Sequence, residues 1–355
     1  MKPAFDARSA FLRVQFASGV PATADFHWFW LRHLCDCCRH PQTRERTLRP
    51  SDVPLEITPR SVALSPDGER LFVAWPEAAG EHASVYALDW LRENAYAPDA
   101  GLLEPPPSDT AAIELRAGAF GAAGELARAC LERVRGAGAV VVRGAGADTE
   151  ALIDDFVARG LRVIPTHFGR IEDLRTDNTT NQNTDQLGYT DARVDLHTDQ
   201  PFLEEPPRFQ MLHCMQPADE GGDNAVSDAR KAAEYLRRTD AQAFELLSTV
   251  PIRFHRVQKS FEKLHVSPLL EVRSGELFRV RSSYFTMAPQ QLAFERMDSW
   301  YRAYQRWERL VSKASHCYRF KLEMGDFLLY DNWRMLHART SFRGSRWVRG
   351  VYFDP

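Results

Sequence analysis

Two short motifs far apart in the chain constrain its fold more than any other feature. The first, residues 195–199, contains His197 and Asp199, and the second, residues 331–337, ends at His337 about 140 residues downstream. Side chains two apart on an extended segment point to the same face, so His197 and Asp199 can present an imidazole and a carboxylate together. A distant histidine would complete a facial triad of two histidines and one carboxylate, which is typical of non-haem Fe(II) sites. The fold must therefore bring two remote strands together.

The composition predicts an ordinary globular chain. Of the 355 residues, 44% are hydrophobic and 26% are charged, which indicates one large domain with a small one beside it. The net charge of −3 gives no reason to expect a nucleic-acid partner. The sequence contains no run of 18 apolar residues and no apolar signal segment at its N-terminus, so we expect no membrane partner and a cytoplasmic location.

Residues 1–95 are predicted to form a small β domain with a metal site. Strands are predicted over residues 11–14, 26–31, 61–65 and 70–75, the last two joined by a turn at 66–69. Cys35, Cys37 and Cys38 stand close enough in sequence to share one soft cation, and zinc fits thiolate and imidazole ligands. Both His40 and His82 are candidates for the fourth ligand. A chance cluster of free thiols is the alternative.

The remainder of the chain is predicted to be a second domain after a linker. Residues 96–108, rich in Pro and Gly, are the linker, and residues 109–355 are the domain. Helices are predicted over residues 122–135, 149–157, 229–247 and 290–311, with a buried strand over 139–143. No Gly-x-Gly-x-x-Gly motif follows a strand, which disfavours a nucleotide-binding fold. The pattern favours a mainly β protein with flanking helices, in which a double-stranded β-helix, or jelly roll, carries the ligands.

A polar stretch, residues 175–185, lies before the first ligand motif. A loop in this position could close over a substrate as a lid, and a plain solvated loop is the alternative.

A basic segment after His337 offers an anchor for a carboxylate. Arg346 lies nine residues downstream, and Arg349 is its rival. A guanidinium can bind a carboxylate through two hydrogen bonds, and 2-oxoglutarate has a distal carboxylate that needs such a partner. The residue type alone does not select one, because further arginines lie nearby: Arg334, Arg339 and Arg343.

A series of motifs runs through the chain in a fixed order. They are Trp30-Leu31-Arg32, Arg39-His40-Pro41, Trp75-Pro76, Tyr189-Thr190, Leu196-His197-Thr198-Asp199, Gly221-Gly222 and Asp331-Asn332-Trp333-Arg334-Met335-Leu336-His337. The series resembles the γ-butyrobetaine dioxygenase and trimethyllysine dioxygenase family along nearly the whole chain. That resemblance implies an Fe(II)- and 2-oxoglutarate-dependent dioxygenase with a jelly-roll domain and an N-terminal zinc module.

The resemblance also implies roles for individual residues. The iron ligands would be His197, Asp199 and His337, and Arg346 and Asn224 would hold 2-oxoglutarate. Structural zinc would be bound by Cys35, Cys37, Cys38 and His82. The family spaces its cysteines as Cys-x-Cys-x-x-Cys, whereas this chain lacks the two residues between the last pair.

The substrate residues depart furthest from the family. Tyr189 and Tyr352 match two positions of the aromatic cage that holds a trimethylammonium group by cation–π attraction. The segment 172–177, which should bring further aromatics, contains none. Tyr284 lies where the family has part of an Asn-Asn pair, and Gln186 stands in place of an Asn.

These departures favour a divergent hydroxylase. We expect hydroxylation of an unactivated C–H bond in a small polar amine or amino-acid derivative by O2, with release of succinate and CO2 from 2-oxoglutarate. One alternative is a carnitine-pathway hydroxylase of trimethyllysine or γ-butyrobetaine. Others are a metal-dependent binding protein without catalysis and an interaction protein whose zinc module recruits a partner. A homodimer closed by that module is compatible with catalysis and is predicted.

Overall fold

A computed structural model describes residues 3–77, 80–96, 125–167, 169–176, 186–313 and 316–355. All of the predicted linker except Tyr96 lies outside the described residues, as do the first three residues of the helix predicted over 122–135. The predicted lid is described only at Arg175 and Thr176.

The N-terminal part contains two three-stranded antiparallel sheets, ordered β1-β2-β3 and β4-β5-β6. The strands are β1 (Ala4–Ala7), β2 (Phe11–Gln15), β3 (Thr23–His27), β4 (Ser61–Leu64), β5 (Arg70–Glu77) and β6 (Gly80–Ala87), and the helices are α1 (Trp28–His33) and α2 (Leu88–Glu93). The predicted hairpin at 66–69 is confirmed, because Leu64 pairs with Leu71 across that turn.

The strand predicted over residues 26–31 is wrong beyond His27, where the chain turns into α1. Every residue of α1 is buried, so its sequence shows no polar face that would reveal a helical period. A short apolar run of this kind does not distinguish a strand from a buried helix by periodicity.

The rest of the chain is built on two larger antiparallel sheets. One has the order β7-β19-β11-β22-β8, with β9 also paired to β22, and the other has the order β10-β20-β13-β18. The strands of this part are β7 (Ala139–Val142), β8 (Arg162–Val163), β9 (Glu172–Arg175), β10 (Val194–His197), β11 (Phe209–Gln216), β12 (Glu220–Gly221), β13 (Asn224–Asp228), β14 (Ile252–Gln258), β15 (Phe261–Ser267), β16 (Leu270–Arg273), β17 (Glu276–Val280), β18 (Cys317–Phe320), β19 (Phe327–Asp331), β20 (Met335–Arg339), β21 (Phe342–Arg343) and β22 (Trp347–Asp354).

The two larger sheets pack face to face. Leu212 and Cys214 of β11 share a buried cluster with Val226 of β13, which belongs to the other sheet. Met211, on the opposite face of β11, packs instead against two helices, α3 (Leu126–Ala137) and α4 (Thr149–Val157). The side chains of β11 therefore alternate between the space between the sheets and the helical layer.

A third and larger core joins the N-terminal part to the helices that lie between β13 and β18 in sequence. These helices are α5 (Ala229–Thr239), α6 (Ala241–Thr249) and α7 (Phe294–Val311). Trp30 and Trp75 share this core with Trp300 and Leu336. Burial of such large side chains stabilises the contact by about 2 kcal/mol each, so the N-terminal part is firmly attached.

Two helix predictions need correction. The single helix predicted over 229–247 is two helices, because the Asp240 side chain accepts a hydrogen bond from the Ala243 N–H and caps α6. Aspartate favours such a cap over a helix interior. The last helix begins at Phe294 rather than at residue 290.

The prediction of a mainly β chain with flanking helices is confirmed. Among the described helices, none is both long enough and apolar enough to cross a membrane.

Candidate active site

The three residues of the predicted triad meet between the two larger sheets. Strands β10 and β20 are antiparallel neighbours, and His197 lies directly opposite His337. The ring centroids of these histidines are 4.1 Å apart. Asp199 lies in a bend beyond the end of β10, and its Oδ1 is 3.2 Å from Nε2 of His197 and 3.9 Å from Nε2 of His337. Strand pairing thus brings together ligands that are 140 residues apart in sequence.

Hydrogen bonds orient both imidazoles towards Asp199. Nδ1 of His197 donates to the carbonyl oxygen of Asp195 at 2.8 Å, which leaves Nε2 as the lone-pair nitrogen. Nδ1 of His337 lies 3.0 Å from the hydroxyl of Tyr330. Burial, and then the neighbouring His197, lower the pKa of His337 to about 3, so its ring is neutral at physiological pH.

Asp199 is held as a carboxylate. Burial raises the pKa of Asp199. The imidazoles of His337 and His197 and the Tyr352 hydroxyl lower this pKa by a larger amount, so the net shift is downward. The Tyr352 hydroxyl donates to Oδ2 of Asp199 at 2.7 Å. Two imidazoles and one carboxylate are the donor set that non-haem Fe(II) accepts, and the three ligand atoms lie within 4.8 Å of one another.

Arg346 and Asn224, the predicted 2-oxoglutarate residues, line the same cavity as the triad. Burial lowers the pKa of Arg346 to about 10, so the guanidinium keeps its charge at neutral pH. Among the described residues, no carboxylate forms an ion pair with Arg346, and its guanidinium lies 5.6 Å from the centroid of the Phe342 ring. Asn224 begins β13 and donates to the carbonyl oxygen of Gly222 at 3.4 Å.

The rival arginines are all engaged elsewhere. Arg349 donates to Asp173 and Thr149. Arg334 forms an ion pair with Asp228, and the exposed Arg343 forms one with Glu220. Arg339 donates to three backbone carbonyl oxygens, those of Gly188, Thr190 and Ala192. Arg346 is thus the guanidinium in this segment that faces the cavity and is not paired with a described protein group.

Of the four predicted substrate residues, two line the cavity and two do not. Gln186 and Tyr352 line the cavity, whereas Tyr189 and Tyr284 do not. The hydroxyl of Tyr284 accepts a hydrogen bond from the Asp195 N–H at 3.1 Å, away from the cavity. Its neighbour Phe285 lines the cavity instead, with its ring edge-on to His197 at 4.8 Å.

Three charged residues that the sequence did not reveal also line the cavity. They are Glu45, Glu172 and Arg256. Arg256 on β14 forms an ion pair with Glu45, and Glu45 also accepts the Leu187 N–H. Glu45 belongs to an irregular segment, so no periodic signal could have placed it here. Glu172 could have been found from its alternation with Leu174 on β9, since both residues face the cavity.

The predicted zinc ligands form a second cluster. The Sγ atoms of Cys35 and Cys37 are 2.8 Å apart, and Nε2 of His82 is 3.3 Å from each of them and 3.8 Å from Sγ of Cys38. A short 3-10 turn, Asp36–Cys38, lets the adjacent cysteines converge. His40 lies outside the cluster and accepts the Thr43 N–H.

The electrostatics favour a thiolate at one of the three cysteines. Hydrogen bonds, first that to Cys38, lower the pKa of Cys35 to about 3 despite its burial. Burial raises the pKa of Cys37 to about 11, and the hydrogen bond to Cys35 raises that of Cys38. The Arg32 guanidinium donates to Sγ of Cys38 at 3.2 Å. Three cysteines and one histidine within 4.8 Å of one another match a structural zinc site.

Comparisons with known proteins agree with this geometry. Residues 110–352 match the model of the taurine catabolism dioxygenase TauD, TfdA family. A γ-butyrobetaine dioxygenase of Pseudomonas sp. strain AK-1 is 32% identical, over 96% of this chain and 91% of the relative. A trimethyllysine dioxygenase of Meyerozyma guilliermondii is 27% identical, over 94% of this chain and 88% of the relative.

A solved structure supports the fold. A Burkholderia xenovorans protein described as an alpha-ketoglutarate-dependent taurine dioxygenase matches with a TM-score of 0.50 and 15% identity, covering 71% of this chain and 92% of that one. At this identity the likeness concerns the fold alone. It agrees with the two facing sheets that hold the triad.

Proposed function

The chain belongs to the taurine catabolism dioxygenase TauD, TfdA family, and we propose that His197, Asp199 and His337 bind the Fe(II) that its reaction requires. The resemblance inferred from the motifs is confirmed, since γ-butyrobetaine and trimethyllysine dioxygenases are among the relatives. The protein is a 2-oxoglutarate-dependent non-haem iron dioxygenase that hydroxylates small molecules with O2. The jelly roll is the fold we propose for the two facing sheets.

The observation that carries the site assignment is the guanidinium of Arg346, which lines the cavity of the triad and has no carboxylate partner within the part of the chain that the structure describes. A buried cation without a protein partner is costly, and a bound carboxylate would remove that cost. The distal carboxylate of 2-oxoglutarate fits, because a guanidinium can bind it through two hydrogen bonds. A protein that only bound a ligand at the metal would need no such anchor, which disfavours the non-catalytic alternative.

Fe(II) held by His197, Asp199 and His337 would supply the oxidising power for hydroxylation, with succinate and CO2 as the products of 2-oxoglutarate. The chain's own residues bind and orient the reacting groups, and they exclude water from the cavity. Tyr352 holds one oxygen of Asp199, and the Asp195 carbonyl fixes His197. Gln210 accepts from the Tyr330 hydroxyl, and that hydroxyl contacts His337. Such outer hydrogen bonds fix ligand orientation.

Apolar side chains complete the cavity wall and keep water from the reacting groups: Leu212, Phe202, Phe285 and Val348. The substrate is small and polar, as we infer from the charged residues that share this wall. A carnitine-pathway substrate remains the second candidate because of the relatives' names. Against it, Tyr189, which was predicted to belong to an aromatic cage, lies outside the cavity lining.

Anaerobic titration tests the iron site. Addition of Fe(II) and 2-oxoglutarate to the protein should produce a weak metal-to-ligand absorption band in the visible region. A His197→Ala variant should lose the band while remaining folded by circular dichroism. A folded wild-type protein without the band would contradict the proposal.

We also propose that Cys35, Cys37, Cys38 and His82 bind one structural zinc ion, on the strength of their clustering. The homodimer and the cytoplasmic location remain predictions. Light scattering of the purified protein would test the first of these and cell fractionation the second.

A further inference from the structure

Glu172 is a buried carboxylate in the wall of the cavity that holds the triad. It begins β9, and its partner across the sheet is Gly350 of β22. Its residue exposure is only 3%, and its neighbour on the same face, Leu174, also lines the cavity. The absence of a side chain at Gly350 leaves room beside the carboxylate, where a Cβ would lie 3.6 Å from Oε2.

The two oxygens of Glu172 are not equally satisfied. Oε1 accepts hydrogen bonds from the Tyr189 hydroxyl at 3.1 Å and from Nε2 of Gln186. Within the described parts of the chain, no group donates to Oε2 and no Lys, Arg or His forms an ion pair with Glu172. Oε2 is not among the described polar atoms that are buried without a partner, so it is accessible from the cavity that Glu172 lines, and a ligand donor can reach it. Tyr189 and Gln186 therefore hold Glu172 in place while its second oxygen stays available.

The other charged groups of the cavity all have an assigned partner. Asp199 is assigned to the proposed iron site and Arg346 to 2-oxoglutarate. Glu45 pairs with Arg256, and Arg339 donates to three backbone carbonyl oxygens. Glu172 is left without a cation among the described residues that line the cavity. Burial, and then the charge of Asp199, raise the pKa of Glu172 to about 8, so the carboxyl group is mostly protonated at neutral pH when the cavity holds no ligand. A bound cation would replace that proton and stabilise the carboxylate.

We propose that Glu172 binds a protonated primary or secondary amine of the substrate through a charge-assisted hydrogen bond from an N–H group to Oε2. The inference rests on the proposed function and specifies the substrate class of the same cavity. A quaternary ammonium group has no N–H to donate and is recognised mainly by the faces of aromatic rings. The cavity-lining aromatic residues in the described chain are few: Phe202, Phe285 and Tyr352. Tyr352 is held by Asp199, so an amine with N–H donors suits this wall better than a trimethylammonium group.

Two methylation series test the proposal because they change the number of N–H donors at constant charge and chain length. One is 4-aminobutyrate, its N-methyl and N,N-dimethyl derivatives and γ-butyrobetaine, and the other is lysine with its Nε-methylated forms up to trimethyllysine. Binding to the anaerobic Fe(II)–2-oxoglutarate protein would be measured by calorimetry and by perturbation of the absorption band, and turnover by succinate release. In at least one series the primary amine should bind at least tenfold more tightly than the quaternary compound.

Matched variants separate a direct contact from a structural effect. Glu172→Gln, which keeps the shape and the acceptor for Tyr189, should weaken binding of the primary amine about tenfold or more and leave the quaternary compound within about twofold. Glu172→Asp should retain part of the preference because it keeps the charge. Asp173→Asn, on the same strand but paired with Arg349 and Trp347 outside the cavity, should leave the preference unchanged.

Three outcomes would overturn the proposal. They are tightest binding by the quaternary members, equal losses for all compounds in Glu172→Gln, and no binding by any N–H ammonium compound of either series. Absence of the Fe(II)–2-oxoglutarate band in the wild-type protein would instead reject the proposed function, so the two failures are distinguishable.

Discussion

Arg346 and Arg349 point to opposite sides of the large sheet although they are only three residues apart. Arg346, Val348 and Tyr352 face the cavity, whereas Arg349 on the other side donates to Asp173 and Thr149. Side chains alternate along an extended chain, so residues separated by an odd number lie on different faces. This parity supports Arg346, which the family resemblance favoured over Arg349, as the proposed anchor of 2-oxoglutarate.

Replacing Arg346 by Met should remove the anchor and raise the apparent KM for 2-oxoglutarate about 100-fold. The loss corresponds to about 2.7 kcal/mol, within the range of charge-assisted hydrogen bonds. Arg349→Met is the matched control and should change this KM by less than about threefold. Both values would come from succinate release at a fixed substrate concentration. Equal effects of the two substitutions would contradict the assignment.

Removal of the Tyr352 hydroxyl should loosen the metal site without removing a ligand. In a Tyr352→Phe variant, Oδ2 of Asp199 loses the hydrogen bond that it accepts at 2.7 Å. Loss of an outer partner of this kind typically weakens metal binding 10- to 100-fold, so we expect an Fe(II) dissociation constant at least about tenfold higher by anaerobic titration. Tyr318→Phe, on the exposed part of β18, is the control. Unchanged iron affinity in Tyr352→Phe would show that the hydroxyl does not support the ligand.

A pH effect on stability should arise far from the triad, at Glu308 of α7. Burial raises the pKa of this carboxyl to about 7, and its Oε2 accepts the Ser51 N–H. The folded state therefore binds more protons than the unfolded state between pH 4.5 and 7, so Glu308 lowers stability progressively as pH rises through this window and by a constant amount above it. A shift of this size corresponds to about 3 kcal/mol.

Glu308→Gln should remove that dependence. Chemical denaturation should show the variant gaining about 3 kcal/mol relative to wild type between pH 5 and pH 8, and Glu295→Gln on the exposed side of α7 should gain nothing comparable. A constant difference between Glu308→Gln and wild type at both pH values would refute the assignment.

The triad could be predicted from sequence because its ligands lie in two short motifs. The strand period fixes the direction of His197 and His337, whereas Asp199 was predicted on an extended segment and lies in a bend beyond β10. His197 and His337 needed only the assumption that their strands pair, and the structure pairs them directly. The proposed zinc ligands likewise lie in one compact sequence motif, with the exception of His82. These predictions used local geometry and resemblance, which require no knowledge of the tertiary packing.

Other features could not be predicted because they depend on packing between distant segments. Tyr284 lies beside the triad strand, but its hydroxyl contacts the Asp195 backbone, and Phe285 takes the place in the cavity. Glu45 reaches the cavity only because the N-terminal part shares a core with α7. Neither side chain belongs to a periodic pattern that states which way it faces.

Glu45 also connects the cysteine cluster to the cavity through one short segment. The Thr47 N–H donates to the carbonyl oxygen of Cys38 at 3.1 Å, and the His40 N–H donates to that of Glu45 at 2.8 Å. These two hydrogen bonds hold residues 45–47 beside the proposed zinc ligands. On the side of the cavity, the Glu45 side chain is held by Arg256 and the Leu187 N–H. A metal that fixes Cys38 should consequently help to hold the cavity wall.

Loss of zinc should therefore affect both stability and substrate affinity. Cys38→Ser should reduce the zinc content, measured by plasma mass spectrometry, from about one ion per chain to well below one. Structural zinc contributes to folding free energy, so we expect a destabilisation of at least about 2 kcal/mol, or roughly 3 °C in Tm for a chain of 355 residues. The KM for the substrate should rise while Fe(II) affinity stays constant, because the triad does not belong to this segment. Cys317→Ser, which removes a thiol that donates to Val311 outside the cluster, should retain the zinc. Equal zinc content in both variants, or a wild-type protein purified without zinc, would contradict a structural zinc site at the cluster.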